Sequence, residues 1–170
     1  MKSLRILAIL LTFSLGLPVQ AQEEGTTTIY LIRHAEKDRS DKSNRNPHLT
    51  EKGYTRALKW AEVFKNVAFD AVYSTNYHRT KETATPTMKQ SNLKGLQMYD
   101  PRDLDIDTFL KENKGKTVLV VGHSNTTPYV TNDLLGKQFY KEIADTNNGN
   151  LYIVNISASG ERSSQLLFIN

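Results

Sequence analysis

Ile29-Tyr30-Leu31-Ile32-Arg33-His34 and Thr117-Val118-Leu119-Val120-Val121-Gly122-His123 are two runs of β-forming residues, each ending in a histidine. Apolar runs of this length, without polar alternation, read as strands buried on both faces of a largely parallel sheet. In an open α/β sheet, ligands bind in the crevice at the carboxyl ends of the strands. Arg33, His34 and His123 are therefore expected at one pocket edge. Two imidazoles beside a guanidinium suit an anion, and one imidazole is free to act as a nucleophile.

The segments between these runs alternate in type. Thr27 to Arg33 is the first strand, and the polar stretch Lys37 to His48, with no apolar periodicity, is a loop. Thr50 is a candidate N-cap for a helix to about Asn66, with Ala57, Leu58, Ala61 and Phe64 on its inward face. Phe69 to Tyr73 reads as a strand, Ser74 to Tyr77 as a turn, and Arg79 to about Gln90 as a helix. Pro86 requires that helix to kink or to begin later than Arg79. Gly95 to Tyr99 forms a short third strand, Asp105 to Asn113 a helix, and Thr117 to Val121 the next strand. Pro128 suits the first turn of the following helix, capped by Thr126 or Thr127 and closed by Gly136. Leu151 to Ile156 and Gln165 to Ile169 are final strands around an Ala158-Ser159-Gly160-Glu161 hairpin turn. The expected fold is a three-layer αβα sandwich with a mixed, mainly parallel central sheet.

The N-terminus reads as a targeting segment. Lys2 and Arg5 give a basic start, Leu4 to Leu17 an apolar core, and Pro18-Val19-Gln20-Ala21 a small-residue cleavage region. The apolar run is shorter than the roughly 20 residues of a spanning helix. The expected organisation is a signal peptide over 1–21, a loose polar tail over 22–27, and one domain over 28–170. Export to the periplasm or the medium follows, with no stable membrane association after cleavage. The chain carries 22 basic and 18 acidic residues, and loss of Lys2 and Arg5 leaves 20 against 18. That near-neutral balance gives no concentrated basic face for nucleic acid. No cysteine is present, so disulfides and thiolate ligands are excluded. Oligomeric state is not legible in this sequence.

Three short elements carry the chemistry. A neutral imidazole at His34 can attack phosphorus and hold a phosphoryl group covalently. The transition state then needs positive donors around the equatorial oxygens, and arginine grips two at once. Arg79, after a strand and turn and near a helix start, is the second cation; His123 follows Val121-Gly122, where glycine lets the backbone pass close to a ligand. Asn125 either contacts phosphate or leads into the turn before Pro128. Lys37, Arg39, Lys42 and Arg45 are read as solvated, or as widening a positive field over the pocket mouth. His48 and His78 are read as solvated loop histidines. No ligand set at metal-binding spacing is apparent, so neither metal nor cofactor is expected.

Arg33-His34-Ala35-Glu36 resembles the Arg-His-Gly-Glu motif of the histidine phosphatase superfamily, which includes phosphoglycerate mutases and phosphohistidine phosphatases. Ser74 to Ala84 is similar to its Ser-x-x-x-x-Arg-x-x-x-Thr-Ala segment, and Gly122-His123-Ser124-Asn125 to its Gly-His-x-x block. The ordered set spans about Thr28 to Asn170. The resemblance implies that His34 is the phosphorylated nucleophile and that Arg33, Arg79 and His123 bind phosphate, with His123 held as imidazolium by the anion. Ala35 replaces the usual glycine, and the general acid has no clean match. Asp100, after the third strand at the same edge, is the candidate acid, with Asp103 and Asp105 as rivals.

The expectation is an exported phosphatase acting on small phosphomonoesters or on a phosphoprotein. A non-catalytic anion-binding module is the alternative. Export and the short chain argue against mutase activity. A hydrolase using Ser124 is disfavoured because the second glycine of a nucleophile elbow is missing.

Overall fold

The computed structural model describes residues 25–170. The expected signal segment lies outside the described residues. Six strands and four helices follow in the order β1 (Thr27–Arg33), α1 (Glu51–Val63), β2 (Ala71–Ser74), α2 (His78–Gln90), β3 (Gln97–Met98), α3 (Ile106–Glu112), β4 (Thr117–Gly122), α4 (Thr126–Leu135), β5 (Asn150–Ile156) and β6 (Arg162–Phe168). They form one sheet in the order β3-β2-β4-β1-β5-β6. β1, β2, β3 and β4 pair in parallel, while β5 and β6 are antiparallel. The mixed three-layer architecture is therefore as expected.

Strand alternation divides the core. Ile29, Leu31, Val118 and Val120 face one side, with Phe109 of α3 and Val130 and Leu134 of α4. Ile32, Leu119 and Val121 face the other, with Trp60 of α1 and Ala84 of α2. Both faces of the central strands are covered, which is why these runs are apolar throughout rather than alternating.

Several boundaries differ from expectation for local reasons. Thr27, assigned to the tail in the domain bounds, opens β1, opposes Ile156 and is buried. Ser74, assigned to a turn, is the last paired residue of β2. α1 begins after Thr50, whose hydroxyl accepts from the Gly53 amide as expected, but it ends at Val63. Leu58 does not face inward: it is 64% exposed, whereas Trp60 is 1% exposed. The buried stripe runs through Gly53, Ala57, Trp60 and Ala61, and Leu58 lies about 100° round the helix from Ala57. α2 runs from His78 to Gln90 with Pro86 inside it, so the later start does not occur. Proline removes one amide donor there, and the neighbouring Thr85 hydroxyl donates to the Lys81 carbonyl. α4 is capped by neither threonine: its N-cap is Asn125, without a side-chain cap bond. The Thr126 hydroxyl instead accepts from the His123 amide. Gly136 closes α4 at φ 67°, the left-handed conformation that glycine adopts without a Cβ penalty.

Candidate active site

Strand register builds the site. Arg33 lies opposite Gly122 across β1 and β4, and Ser74 lies opposite Val121 across β2 and β4. The residues after these positions, His34, His123 and Thr75, therefore leave the sheet side by side. The His34 amide donates to the Gly122 carbonyl at 2.9 Å, continuing the ladder by one step. The His34 and His123 rings meet edge to face with centroids 5.4 Å apart. A cleft of about 800 Å³ opens here, lined among others by Arg33, His34, Arg79, Asp100, His123 and Asn125. All six residues singled out from sequence are thus brought together.

His34 is only 4% exposed, and its Nδ1 lies 2.7 Å from the Ala35 carbonyl. A carbonyl can only accept, so the ring proton sits on Nδ1 and Nε2 carries the lone pair. Burial lowers the His34 pKa to about 3, aided by His123, Arg79 and Arg33 and opposed by the Ala35 bond. The imidazole is neutral across the physiological range. From behind, Asn148 Nδ2 donates to the His34 carbonyl at 2.8 Å.

The imidazolium expected of His123 is one held by a bound anion; the free cleft gives its starting state. Burial, then Arg79, Lys37 and Arg33, lowers its pKa to about 4, so without an anion it is neutral. Its Nε2 lies 3.0 Å from the Thr75 hydroxyl, which lies 2.9 Å from that of Thr80. Thr80 donates to the carbonyls of Thr75 and Tyr77. Because that chain ends on acceptors, protons run outward from His123 Nε2 through Thr75 to Thr80.

Arg33 is buried beneath the cleft. Its Nη1 reaches the carbonyls of Ala144, Asp145 and Asn147, each at 3.0 Å, and its Nη2 pairs with Asp145 at 2.7 Å. Arg79 lies over the Tyr77 ring at 4.3 Å and reaches the Arg45 carbonyl at 3.5 Å. The Nε atoms of both arginines are buried without a hydrogen-bond partner. Both side chains line the cleft, so two guanidinium groups stand beside the histidine pair. Lys37 and Arg102 add positive charge to the lining, so four cations stand against the carboxylates Asp100 and Asp145.

Asp100 reaches the cleft, but its carboxylate is gripped by Arg102 from Nε at 3.0 Å and from Nη2. That pairing lowers its pKa to about 2, a state in which it accepts protons rather than donating them. Of its rivals, Asp105 caps α3 through the Thr108 amide at 2.7 Å, and neither Asp103 nor Asp105 lines the cleft. The Ser124 hydroxyl faces Glu142 at 3.3 Å, not a histidine base. Gly122 does not serve ligand approach: an added Cβ would sit 2.8 Å from the Thr127 hydroxyl and 3.0 Å from that of Tyr99. His48 and His78 are not simply solvated either. Their rings stack at 4.1 Å, and His48 Nδ1 bonds Glu82.

Thr75, Tyr77, Arg102, Asp145 and Asn148 escaped the sequence reading, whereas Lys37, read there as solvated or as widening a positive field over the pocket mouth, lines the cleft. Asn148 sits in Asn147-Asn148-Gly149-Asn150, whose composition signals only a turn, and nothing local links it to His34. Thr75 and Tyr77 lie inside the segment that named Arg79, so only their partners were hidden.

Fold and cleft together define an α/β domain with paired histidines and arginines at the carboxyl edge of its parallel strands. The model of the histidine phosphatase superfamily, branch 1, matches residues 29–105, which hold Arg33, His34, Arg79 and Asp100 but end before His123. No curated protein matches the sequence. Among solved structures, the protein histidine phosphatase SixA complexed with tungstate aligns with TM-score 0.67 at 17% identity, over 83% of this chain and 96% of that one. A mycobacterial glucosyl-3-phosphoglycerate phosphatase with VO3 aligns with TM-score 0.65 at 13% identity, over 85% and 99%. A mutant phosphoserine phosphatase from Entamoeba histolytica with phosphoserine aligns with TM-score 0.60 at 16% identity, over 81% and 94%. The chain has the histidine phosphatase fold.

Proposed function

We propose that this protein is a phosphatase that cleaves phosphate from its substrate through a phosphohistidine on His34, with no metal in the reaction. The observation that carries this reading is a neutral, buried His34 with its lone pair on Nε2, in a cleft lined by Arg33 and Arg79. Nε2 forms a bond to phosphorus as the bond from phosphorus to the leaving group breaks. Arg33 and Arg79 hold the equatorial oxygens, where charge accumulates, and His123 donates to them once the anion's charge has brought a second proton to its Nδ1. Water then attacks phosphorus, giving a proton to the Asp100 carboxylate as the bond from phosphorus to Nε2 breaks; the electron pair returns to Nε2, and phosphate leaves with His34 neutral again.

With Asp100 tied to Arg102, the first step has no ready proton donor. Substrates whose leaving group needs no proton from the site suit it best: aryl phosphates, or a phosphohistidine, protonated on its distal ring nitrogen, displayed on a protein. The open cleft fits a substrate presented from outside. Export after cleavage near Ala21 and action in the periplasm or the medium are part of the same proposal, resting on the Lys2 to Ala21 pattern.

The test is turnover of an aryl phosphate by the wild type and by His34→Ala, with acid-quenched trapping of the phosphoenzyme. Covalent label on the wild type and a loss of at least about a thousandfold in kcat for the variant are expected. Undiminished hydrolysis by His34→Ala refutes the reading. Vanadate binding by a wild type that turns over no aryl phosphate identifies an anion-binding module instead.

A further inference from the structure

Outside the cleft, two histidines and a glutamate meet where the loop after β1 crosses the start of α2. We propose that His48, His78 and Glu82 form a binding site for one zinc-class divalent cation. One ligand atom from each residue lies within 4.8 Å of the others. His78 and Glu82 stand one turn apart on α2, the (i, i+4) spacing that puts both side chains on one face. His48 arrives from the loop, its ring stacked on His78 at 4.1 Å with planes 19° apart.

The set is held from behind. Glu82 Oε2 accepts from the Leu49 amide at 2.8 Å, which leaves Oε1 turned towards His48 Nδ1. The Tyr54 hydroxyl also bonds Glu82. The His78 amide is tied to the loop through Asn46 Oδ1 at 2.8 Å, so loop and helix are already joined. Metal-binding carboxylates and imidazoles are ordinarily oriented by outer hydrogen bonds of this kind.

The proton between His48 Nδ1 and Glu82 Oε1 occupies the place a cation would take. Zinc bonds nitrogen at about 2.0–2.1 Å, which spaces tetrahedral ligand atoms about 3.4 Å apart. Closing from 4.8 Å or less asks for a small rotation, and His48, with 60% of its side chain exposed, is free to make it. Two imidazoles and one carboxylate give three protein ligands, with water completing the tetrahedron. Histidine and carboxylate favour zinc, nickel or copper over magnesium or calcium, which prefer all-oxygen cages. Arg79 directly follows His78, so an ion here would clamp the loop 37–49 to the helix turn that carries a cleft arginine.

The experiment is titration of the metal-stripped full chain with Zn2+ against a chromophoric chelator, with Co2+ added separately for its visible spectrum. Wild type, His48→Gln, His78→Gln and His34→Ala are compared, and melting without metal confirms that each variant is folded. The expected result is one equivalent of Zn2+ and a tetrahedral Co2+ spectrum for wild type and His34→Ala. Affinity should fall at least about tenfold in His48→Gln and His78→Gln, because each loses one of three protein ligands. Wild-type affinity in both glutamine variants, loss of the ion in His34→Ala, or no zinc bound by the wild type would each overturn the proposal. None of these readouts depends on phosphatase activity, so the site stands or falls separately from the proposed reaction.

Discussion

The protonation of His34 offers the sharpest quantitative check. The chain has four histidines, so each Cε1 proton can be assigned by substitution and followed by NMR across pH. A histidine with the ordinary pKa of about 6.5 is only about 3% neutral at pH 5, whereas one titrating at about 3 is about 99% neutral. His34 should therefore show no titration between pH 8 and 5, and His123 should titrate near 4. Folding links to these values with a definite sign. Below pH 6.5 the unfolded chain binds protons that buried His34 refuses, so stability falls as pH drops from about 6.5 towards 3. The slope from His34 approaches about 1.4 kcal/mol per pH unit, and above 6.5 its contribution vanishes. Urea unfolding at pH 7, 6 and 5 measures that slope, with variant His34→Ala removing it. Vanadate in the cleft supplies negative charge and should move both midpoints upward. A His34 midpoint near 6.5 in the free protein would refute the claim that burial and the arginines hold it neutral.

Three further outcomes follow from the same contacts. Arg102→Ala should release Asp100 and return its carboxyl pKa from about 2 towards the ordinary value of 3.8, read by carboxyl NMR, with turnover of alkyl phosphates rising relative to aryl phosphates; an unchanged Asp100 titration contradicts the pairing. Gly53→Ala should cost more than about 2 kcal/mol in urea unfolding, because its Cβ would lie 2.2 Å from the Glu36 carbonyl oxygen, which belongs to backbone. Asp145→Asn should strengthen vanadate binding by about twofold to fivefold at low salt, since the exposed carboxylate partly neutralises Arg33 and Arg39; equal affinity would show that Asp145 does not shape the field over the cleft.

Much of the fold was legible because the strongest signals were local. The uninterrupted apolar runs of β1 and β4 required burial on two faces, and the turn at Ala158 to Glu161 announced a hairpin. Leu58 was misplaced because a helix's inward stripe depends on what packs against it. Asn148 and Thr75 act on His34 and His123 from 114 and 48 positions away, separations across which no residue pattern carries information. The same holds for His48 and Glu82, joined only when the loop folds back onto α2.

By itself the sequence determined the alternating α/β layout and the delivery of Arg33, His34, Arg79 and His123 to one edge. Those follow from strand periodicity and from the rule that parallel strands expose their carboxyl ends together. The charge states of the cleft histidines were decided by tertiary structure alone. Burial keeps both neutral and the carbonyls of 144–147 hold Arg33 in place, whereas the Arg102 grip on Asp100 spans two residues and is local. A proton's affinity depends on dielectric and neighbouring charge within a few ångströms, and that environment exists only once distant segments have met.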